Sequence, residues 1–563
     1  VESGNILAVE EGRFNDLRGV LFFYAKILKF TTNHPLIVMA IALTVMFSIV
    51  RAYSEYGNGM QFFTDVDPTF SSVVVAAKGN YSAAELRDIV TDVEDRVVDY
   101  GHISSIYTRS GGGGFSAGSG RTADEVGSMF IELSDRRDRN ITGWDVEQGY
   151  RDAVSDIPGV RAEIRKQEQG PPVGKDIQIQ ISGDDMTILT RETQRIRRHL
   201  ASMDGLIGVD DTSPVPGIEW EVKVDRVKAA MLGADVAGVG AAIQLVTNGV
   251  LVGKYRPDDV DDEVDIRVRY PEEFRTISRL DELRVSTQSG QVPLSSFVER
   301  TAKPKVSTIF RQNSQRIMYV RANTVAGVLP DTKVDEISQW LETAEVDPTL
   351  EVLFRGANEE QDKSMAFIGQ AFSLALALMG ILLITQFNSF YQAALILSAV
   401  IMSTVGVLLG LLVLDQPFSA IMTGVGIVAL AGIIVNNNIV LIDTFNYLRT
   451  ENPSWDIKRV ITQTGCLRLR PVFLTTFTTG FGLLPMASGV SIDLLSREIE
   501  VGGPVASFWV LLASSIVSGL SFATILTLIV TPAMLMAPYA IRSLLRPKKA
   551  DSTMLEPANS LAS

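Results

Sequence analysis

Two textures alternate along the chain. From residue 52 to 363 polar and apolar positions are finely mixed and charges are frequent; from 364 to 448 there is no Lys or Arg, and the only acids are Asp415 and Asp443. About 20 apolar residues suffice to cross a bilayer as a helix. Runs that meet or approach that length occupy residues 35–50, 364–387, 390–414, 419–447, 471–488 and 508–538. Ahead of the first, residues 17–30 interleave Leu21, Phe22, Phe23, Ala25, Ile27 and Leu28 with Arg18, Lys26 and Lys29, the pattern of a helix lying in the membrane interface. The pattern predicts an α-helical six-span membrane bundle with one large soluble excursion between spans one and two.

The fourth run is the least ordinary. Its heart, IMTGVGIVALAGIIVNNNIVLIDTF, carries Asn436, Asn437 and Asn438 near mid-depth. An amide in hydrocarbon needs a partner, and three in a row turn through about 200° of helix, so at least two must face other helices or water. Asp443 returns to the face of Asn436 about two turns on. A polar seam inside a bundle follows, and two readings of it stay open: interhelical glue, or part of a transport path.

The excursion is too large for one compact core and divides into units. Strand-like runs at 73–76, 103–108, 127–133 and 160–164 and helical spacing at 83–98 and 146–154 give the order βαββαβ, which fits a ferredoxin-like split βαβ subdomain of an α+β fold. A second such unit is read from 175–181, 186–203 and 207–211, completed by 305–309, 317–323, 334–343 and 350–354. Between its halves lies an insert, 218–301, with strands at 219–224, 250–254 and 264–268 and helices at 226–231 and 235–248.

Composition then narrows the function. The 563 residues carry a net charge of -14, and no basic patch with interleaved aromatics is present to neutralise phosphates, which excludes a nucleic-acid partner. The single cysteine, Cys466, forms no internal disulfide, and three histidines with scattered methionines make no metal-ligand cluster. No Walker loop, nucleophile elbow or paired carboxylates appear, so neither an enzyme nor a cofactor is expected. Arg449, Lys458, Arg459, Arg468 and Arg470 between spans four and five, and Arg542, Arg546, Lys548 and Lys549 after span six, place both termini in the cytoplasm by the positive-inside rule. Residues 1–17 read as a polar linker, residues 547–563 as disordered, and the initial Val1 as the start of a piece cut from a longer chain. The loop SGGGGFSAGSG, residues 110–120, has no following Lys-Ser/Thr and no helix start, so it is no phosphate cradle. On its residues alone it is a flexible hairpin connection.

This layout, with GIIVNNNIVLID, RLRPVFLTT and FATILTLIVTP, resembles the second half of a resistance-nodulation-division efflux permease of the hydrophobe and amphiphile branch over residues 18–545. The resemblance implies a cytoplasmic or interfacial segment (1–34), a first span (35–51), a first porter subdomain (65–168), a second (172–212 with 303–355), a docking insert (218–301), a five-span bundle (364–541) and a cytoplasmic tail (542–563). It implies a multi-pass protein of the bacterial inner membrane with a large periplasmic region. Its partners would be the first half of the permease, two further copies in a homotrimer, a periplasmic adaptor and an outer-membrane channel. The activity would be proton-gradient-driven efflux of a hydrophobic small molecule.

In that family a proton relay joins aspartates of the first half to a lysine, an arginine and a threonine of the second. Asn436 stands at the lysine position, Asn437 matches the family's following Asn, and Arg468 and Thr475 match the other two. An amide exchanges hydrogen bonds but carries no counter-charge, so Asn436 would act as a neutral switch partner. Asp443 is expected at the cytoplasmic interface. The glycine-rich loop falls where the family has a switch loop, which makes Gly114, Phe115 and Phe130 substrate-binding candidates: glycine lets the loop swing, and phenylalanine offers a broad apolar face. Gly482, Pro485, Gly519 and Pro532 are read as packing positions with a second reading as weak points for helix motion. Rival functions are export of lipids or an envelope component and, in another class, a non-transporting receptor or scaffold. The absence of a Met or His cluster speaks against a heavy-metal exporter.

Overall fold

The computed structural model describes residues 9 and 14–545, apart from 65, 78–80, 112–124, 167–173, 214–216, 258–262, 288–289, 305–308, 326 and 494–497. The described chain forms two compact units, one made of residues 1–77, 83–213 and 310–563, the other of 78–82 and 214–309.

The first unit opens with α1 (Val20–Asn33) and α2 (Pro35–Tyr56). Pro35 suits the first turn of α2, where its missing N–H would have had no intrahelical partner. One face of α1 buries Tyr24, Ala25 and Leu28 against Cys466, Val472 and Leu528, while Phe22, Phe23 and Phe30 stay exposed. A short strand, β1 (Met60–Gln61), follows.

β2 (Phe70–Ala77), α3 (Ala83–Tyr100), β3 (Ile103–Ser110), β4 (Glu125–Leu133), α4 (Gly143–Val154) and β5 (Val160–Lys166) build one antiparallel sheet in the order β3-β4-β2-β5. Both helices lie on one face because the strands alternate: Val73, Val75, Met129 and Ile131 point inward and meet Val93, Val97, Val146 and Tyr150, all fully buried. Thr142 caps α4 reciprocally with Asp145, fixing where that helix starts. β6 (Ile177–Gly183), α5 (Met186–Leu200) and β7 (Leu206–Asp211) begin the same order again.

The chain then builds the second unit: β8 (Ile218–Val224), α6 (Arg226–Met231), α7 (Val236–Val246), β9 (Val250–Tyr255), β10 (Val264–Val268), α8 (Ile277–Glu282), β11 (Arg284–Thr287), β12 (Gly290–Pro293) and β13 (Val298–Pro304). Three antiparallel pairs, β8 with β13, β9 with β10 and β11 with β12, surround a small core of Ala229, Val239, Val285, Leu294 and Phe297.

Back in the first unit, β14 (Phe310–Gln312), β15 (Gln315–Thr324), α9 (Pro330–Thr343) and β16 (Glu351–Arg355) complete the second sheet, in which β6 lies between β15 and β16 and β7 pairs with the far side of β15. Of the strand expected at 305–309, residues 305–308 lie outside the described residues and Ile309 is not in a strand; the pairing partner is β14, folded back on β15 as a hairpin.

Between the two sheets runs a chain of buried charges. Arg321 on β15, fully buried, donates to both oxygens of Asp210 on β7, at 2.9 and 3.1 Å. Lys175 bridges Asp210 at 3.2 Å and Glu163, on β5 of the first sheet, at 2.7 Å. Burial alone would push the Asp210 carboxyl up, but Lys175 and Arg321 together outweigh it and hold that carboxyl below the usual carboxylate range.

The rest is helical: α10 (Ala357–Phe387), α11 (Phe390–Val413), a strand β17 (Phe418–Ser419), α12 (Met422–Glu451), α13 (Ile457–Ala487), a hairpin of β18 (Val490–Asp493) and β19 (Glu498–Val501), α14 (Pro504–Ile525) and α15 (Thr531–Leu545), the last two joined by a π-helical turn, Leu526–Val530. Among the described residues five stretches are long and apolar enough to cross a membrane: α2, α10, α11, α12 and Val505–Arg542. The run at 471–488, expected as a separate span after an arginine-rich loop, is instead the C-terminal half of α13 and not one of the five. Arg468, Arg470, Lys458 and Arg459 are helical, and Pro471 lies inside the helix, since a proline in a packed bundle bends a helix that neighbours then support. The helices approach closely at small residues. A Cβ on Gly519 would stand 2.2 Å from Leu430 Cδ2, and one on Gly410 2.1 Å from Ser518 Cβ.

Links between the sheet region and the bundle are found at two further places within this unit, besides the ion pair of Arg355 on β16 with Glu359 on α10. β1 pairs in parallel with β17, and Asn58 donates to Asp415 at 2.8 Å; Arg136 donates to the Gly502 carbonyl at 2.7 Å, just before α14.

Candidate functional site

α12 places its three asparagines on different faces. Asn438 is fully buried; its amide donates to the Ile434 carbonyl at 3.1 Å, one turn back, and its oxygen accepts from Thr531 of α15 at 3.1 Å. Asn437, also buried, accepts from Thr475 of α13 at 3.3 Å. Two turns on, buried Thr444 accepts from Arg468 Nε of α13. The inward polar groups of α12 are therefore tied to α13 and α15 by neutral or singly charged hydrogen bonds. Near the end of α12 predicted to be cytoplasmic, Gln392 and Asn446 exchange amide bonds at 2.8 and 3.0 Å and fasten α11 to α12.

Asn436 is different. It is exposed and makes no side-chain hydrogen bond among the described residues, and Asp443 is exposed on the same face. Val425, Ala429, Gly432 and Tyr447 continue that exposed stripe along the helix. Of the four relay candidates, the structure brings Asn437 and Thr475 together and sets Arg468 two turns below them; Asn436 looks away. Sequence reading placed Asn438 in the polar seam but not among the relay candidates, and it missed Thr444 and Thr531. Spacing gave a signal for Thr444, seven residues after Asn437, but none for Thr531, which lies on another helix.

Thr531 opens onto a further irregularity. Pro532 has no N–H to give the Leu528 carbonyl four residues back, and that carbonyl accepts the Tyr24 hydroxyl of α1 at 2.8 Å. The approach of α1 requires Gly465 on α13, where a Cβ would fall 2.5 Å from Leu28 Cδ1 and 3.1 Å from the Tyr24 hydroxyl.

On the first sheet, Phe130 is 43 % exposed, stacks on Phe70 at 5.4 Å between ring centroids, and lies across from exposed Tyr107. Phe70 and Tyr107 extend the aromatic face at Phe130, a role that sequence reading gave to Phe115 and Phe130. Gly114 and Phe115 lie outside the described residues. Among the described residues no group of three or more His, Cys, Asp or Glu side chains is placed to hold a metal ion.

The profile of the AcrB/AcrD/AcrF family matches residues 13–537. The chain belongs to that family, the resistance-nodulation-division permeases. Its curated relatives include a multidrug resistance protein, MdtC of Enterobacter sp. (strain 638), 26 % identical over 521 residues, which cover 90 % of this permease chain and 48 % of the relative. A cobalt-zinc-cadmium resistance protein, CzcA of Cupriavidus metallidurans, is 27 % identical over 384 residues, 66 % of this chain and 34 % of the relative. The permease chain thus spans about half the length, or less, of these curated relatives. Among solved structures, a heavy metal efflux pump superposes with a TM-score of 0.74 at 22 % identity, over 92 % of this chain and 52 % of the other, which supports the fold.

Proposed function

We propose that this chain is the second half of a proton-driven efflux permease of the bacterial inner membrane, exporting hydrophobic or amphiphilic compounds. The observation that carries the reading is the two-sided polarity of α12. Its buried amides are already bonded to α13 and α15, while Asn436 and Asp443 stand on an open stripe that a chain of about half the relatives' length leaves without a facing helix. Carboxylates of a first half would face that stripe. On protonation such a carboxylate changes from acceptor to donor, and Asn436, with both an amide N–H and a carbonyl, can answer either state by turning over. The buried bonds of Asn437 and Asn438 then hold α12 rigid so that the exchange at Asn436 is felt by α13 and α15.

Phe70, Tyr107 and Phe130 offer substrate a flat apolar face on the first sheet, and Arg136 with the β1–β17 pair provides the mechanical link between sheet and bundle. In the assembled pump the sheets would lie in the periplasm, both termini in the cytoplasm, and three protomers would meet an adaptor and an outer-membrane channel. Six spans, counting the C-terminal half of α13, give that topology. The cobalt-zinc-cadmium resistance relative favours a second reading, cation export; that reading calls for ligand clusters, and the aromatic face supports the first.

The test is dye efflux from pump-deficient cells expressing the full-length protein, with the proton gradient intact or collapsed by an uncoupler. Gradient-dependent efflux that disappears in Asn436→Ala is expected. Full efflux in that variant would overturn the role given to Asn436, and zinc or cadmium tolerance without dye efflux would establish the cation reading.

A further inference from the structure

A cavity of about 540 Å³ lies between α1 and the first turns of α13, bounded on α1 by Ala25, Lys29 and Thr32 and on α13 by Asp456, Lys458 and Arg459. The structure assigns this cavity to the headgroup of a zwitterionic aminophospholipid, one that carries both a phosphate and a primary ammonium. The inference rests on the proposed placement of the helical bundle in a membrane.

Charges of both signs line this space, Asp16 and Asp456 with Lys29, Lys458 and Arg459. Lys29 makes no ion pair or side-chain hydrogen bond among the described residues, and the Lys458 ammonium is met only by a neutral oxygen, that of Asn33, at 2.9 Å. Two cations on two separate elements thus face one space. Arg459 is held at its edge by stacking on Trp455, 4.1 Å from guanidinium carbon to ring centroid. Asp456 occupies the N-cap position of α13, where an aspartate usually accepts a backbone N–H, yet its side chain makes no capping bond. An anionic and a cationic pole therefore share the cavity. A phosphate alone would satisfy the lysines and be repelled by Asp456; a phosphate with an ammonium two carbons away satisfies both.

The surroundings fit a lipid and not a soluble metabolite. Ala25, Lys29 and Thr32 lie on one stripe of α1, at spacings of four and three, and the same stripe continues to Phe22, which is 47 % exposed. Phe23 and Phe30 expose further apolar surface on the same helix, 66 % and 54 %. Charged cavity and bare apolar face are thus adjacent on a helix of the type that lies in the interface plane, where headgroups reside. Basic pockets between membrane helices commonly seat headgroups; the carboxylate narrows the choice here to one bearing an ammonium.

The experiment uses the full chain purified in detergent and titrated with dioleoylphosphatidylethanolamine, dioleoylphosphatidylglycerol or dioleoylphosphatidylcholine, bound lipid being counted by native mass spectrometry. Phosphatidylethanolamine should bind tighter than either other lipid, Lys29→Gln with Lys458→Gln should weaken it about tenfold, and Asp456→Asn should weaken it while leaving phosphatidylglycerol unchanged or tighter. The lysines and Asp456 are exposed, so an unchanged melting temperature serves as the folding check. Equal or tighter phosphatidylglycerol binding to the parent, or unchanged phosphatidylethanolamine binding in the variants, overturns the proposal. Displacement of the lipid by millimolar inorganic phosphate would make this a phosphate site and overturn it equally. Carbonate extraction of cell membranes separates the two levels: a chain released from the membrane defeats the membrane reading, whereas a retained chain with no headgroup preference defeats only this inference.

Discussion

The paired sheets and the helical bundle solve the same problem, polar groups in a dry interior, with opposite chemistry. Between the sheets Arg321, Asp210, Lys175 and Glu163 are all nine-tenths or more buried and joined by ion pairs. In the bundle Asn437, Asn438, Thr475, Thr531 and Thr444 do comparable work with amides and hydroxyls, and Arg468 donates to the Thr444 hydroxyl. The difference follows from where water is available during folding. Sheets assembled in water can desolvate a pair of opposite charges together, whereas a helix in lipid has no such route and minimises formal charge. Ionic contacts are strong only when complete; amide contacts are weaker and easier to exchange. A moving part is better built from the second kind.

The largest way to break the comparison is Arg321→Met. It strands Asp210 with one partner fewer in a buried site and should cost about 3–5 kcal/mol in thermal or denaturant unfolding of the purified chain. Adding Asp210→Leu should recover most of that loss, because the uncompensated charge goes with it; a single replacement costing under about 1 kcal/mol would show the network to be ornamental. Acid tests the same charges. The Asp210 carboxyl is held low, so its stabilisation is complete above the unfolded-state value near ~3.9 and is lost as pH falls through the lower folded value. Melting followed by near-ultraviolet dichroism should then fall for the sheets below about pH 4 while helical ellipticity melts at an unchanged temperature. In the bundle, Gly519→Val forces carbon into Leu430 and Val407 and should cost about 1–3 kcal/mol in the helical transition. Smallest is Asn438→Ala, which frees Thr531 and should cost about 1 kcal/mol by the same measurement. A loss of several kcal/mol there would mean that the amide seam is as unforgiving as the ionic one.

What sequence could show tracks how local each signal is. The apolar runs gave α2, α10, α11 and α12 within about two turns at each end, because a membrane helix is specified by its own composition. The βαββαβ order was readable twice for a similar reason: Val73, Val75, Met129 and Ile131 alternate within their own strands. The start of α13 was not readable, since Pro471 and the flanking arginines look locally like a break and only packing shows otherwise. Nor were the bond from Thr531 to Asn438, the hairpin of β14 on β15, and the parallel pairing of Met60 with Phe418, each of which joins segments through space without a shared pattern. The aromatic face was found in part. Phe130 was named, but Phe70 and Tyr107 join it only through strand register.

The bond between Tyr24 and the Leu528 carbonyl spans 504 positions of sequence. During synthesis α1 leaves the ribosome well before α13, and the cradle for its buried face, Gly465, Cys466, Val472 and Leu528, arrives only with α13 and the π turn. At about 5–20 residues per second that wait lasts on the order of a minute. Through it the Tyr24 hydroxyl is without the Leu528 carbonyl that it meets in the folded bundle. The closing of this one contact marks the moment at which segments far apart in the chain are known to each other, and a chain stalled before Leu528 would be left with a loose α1 for quality-control proteases to seize.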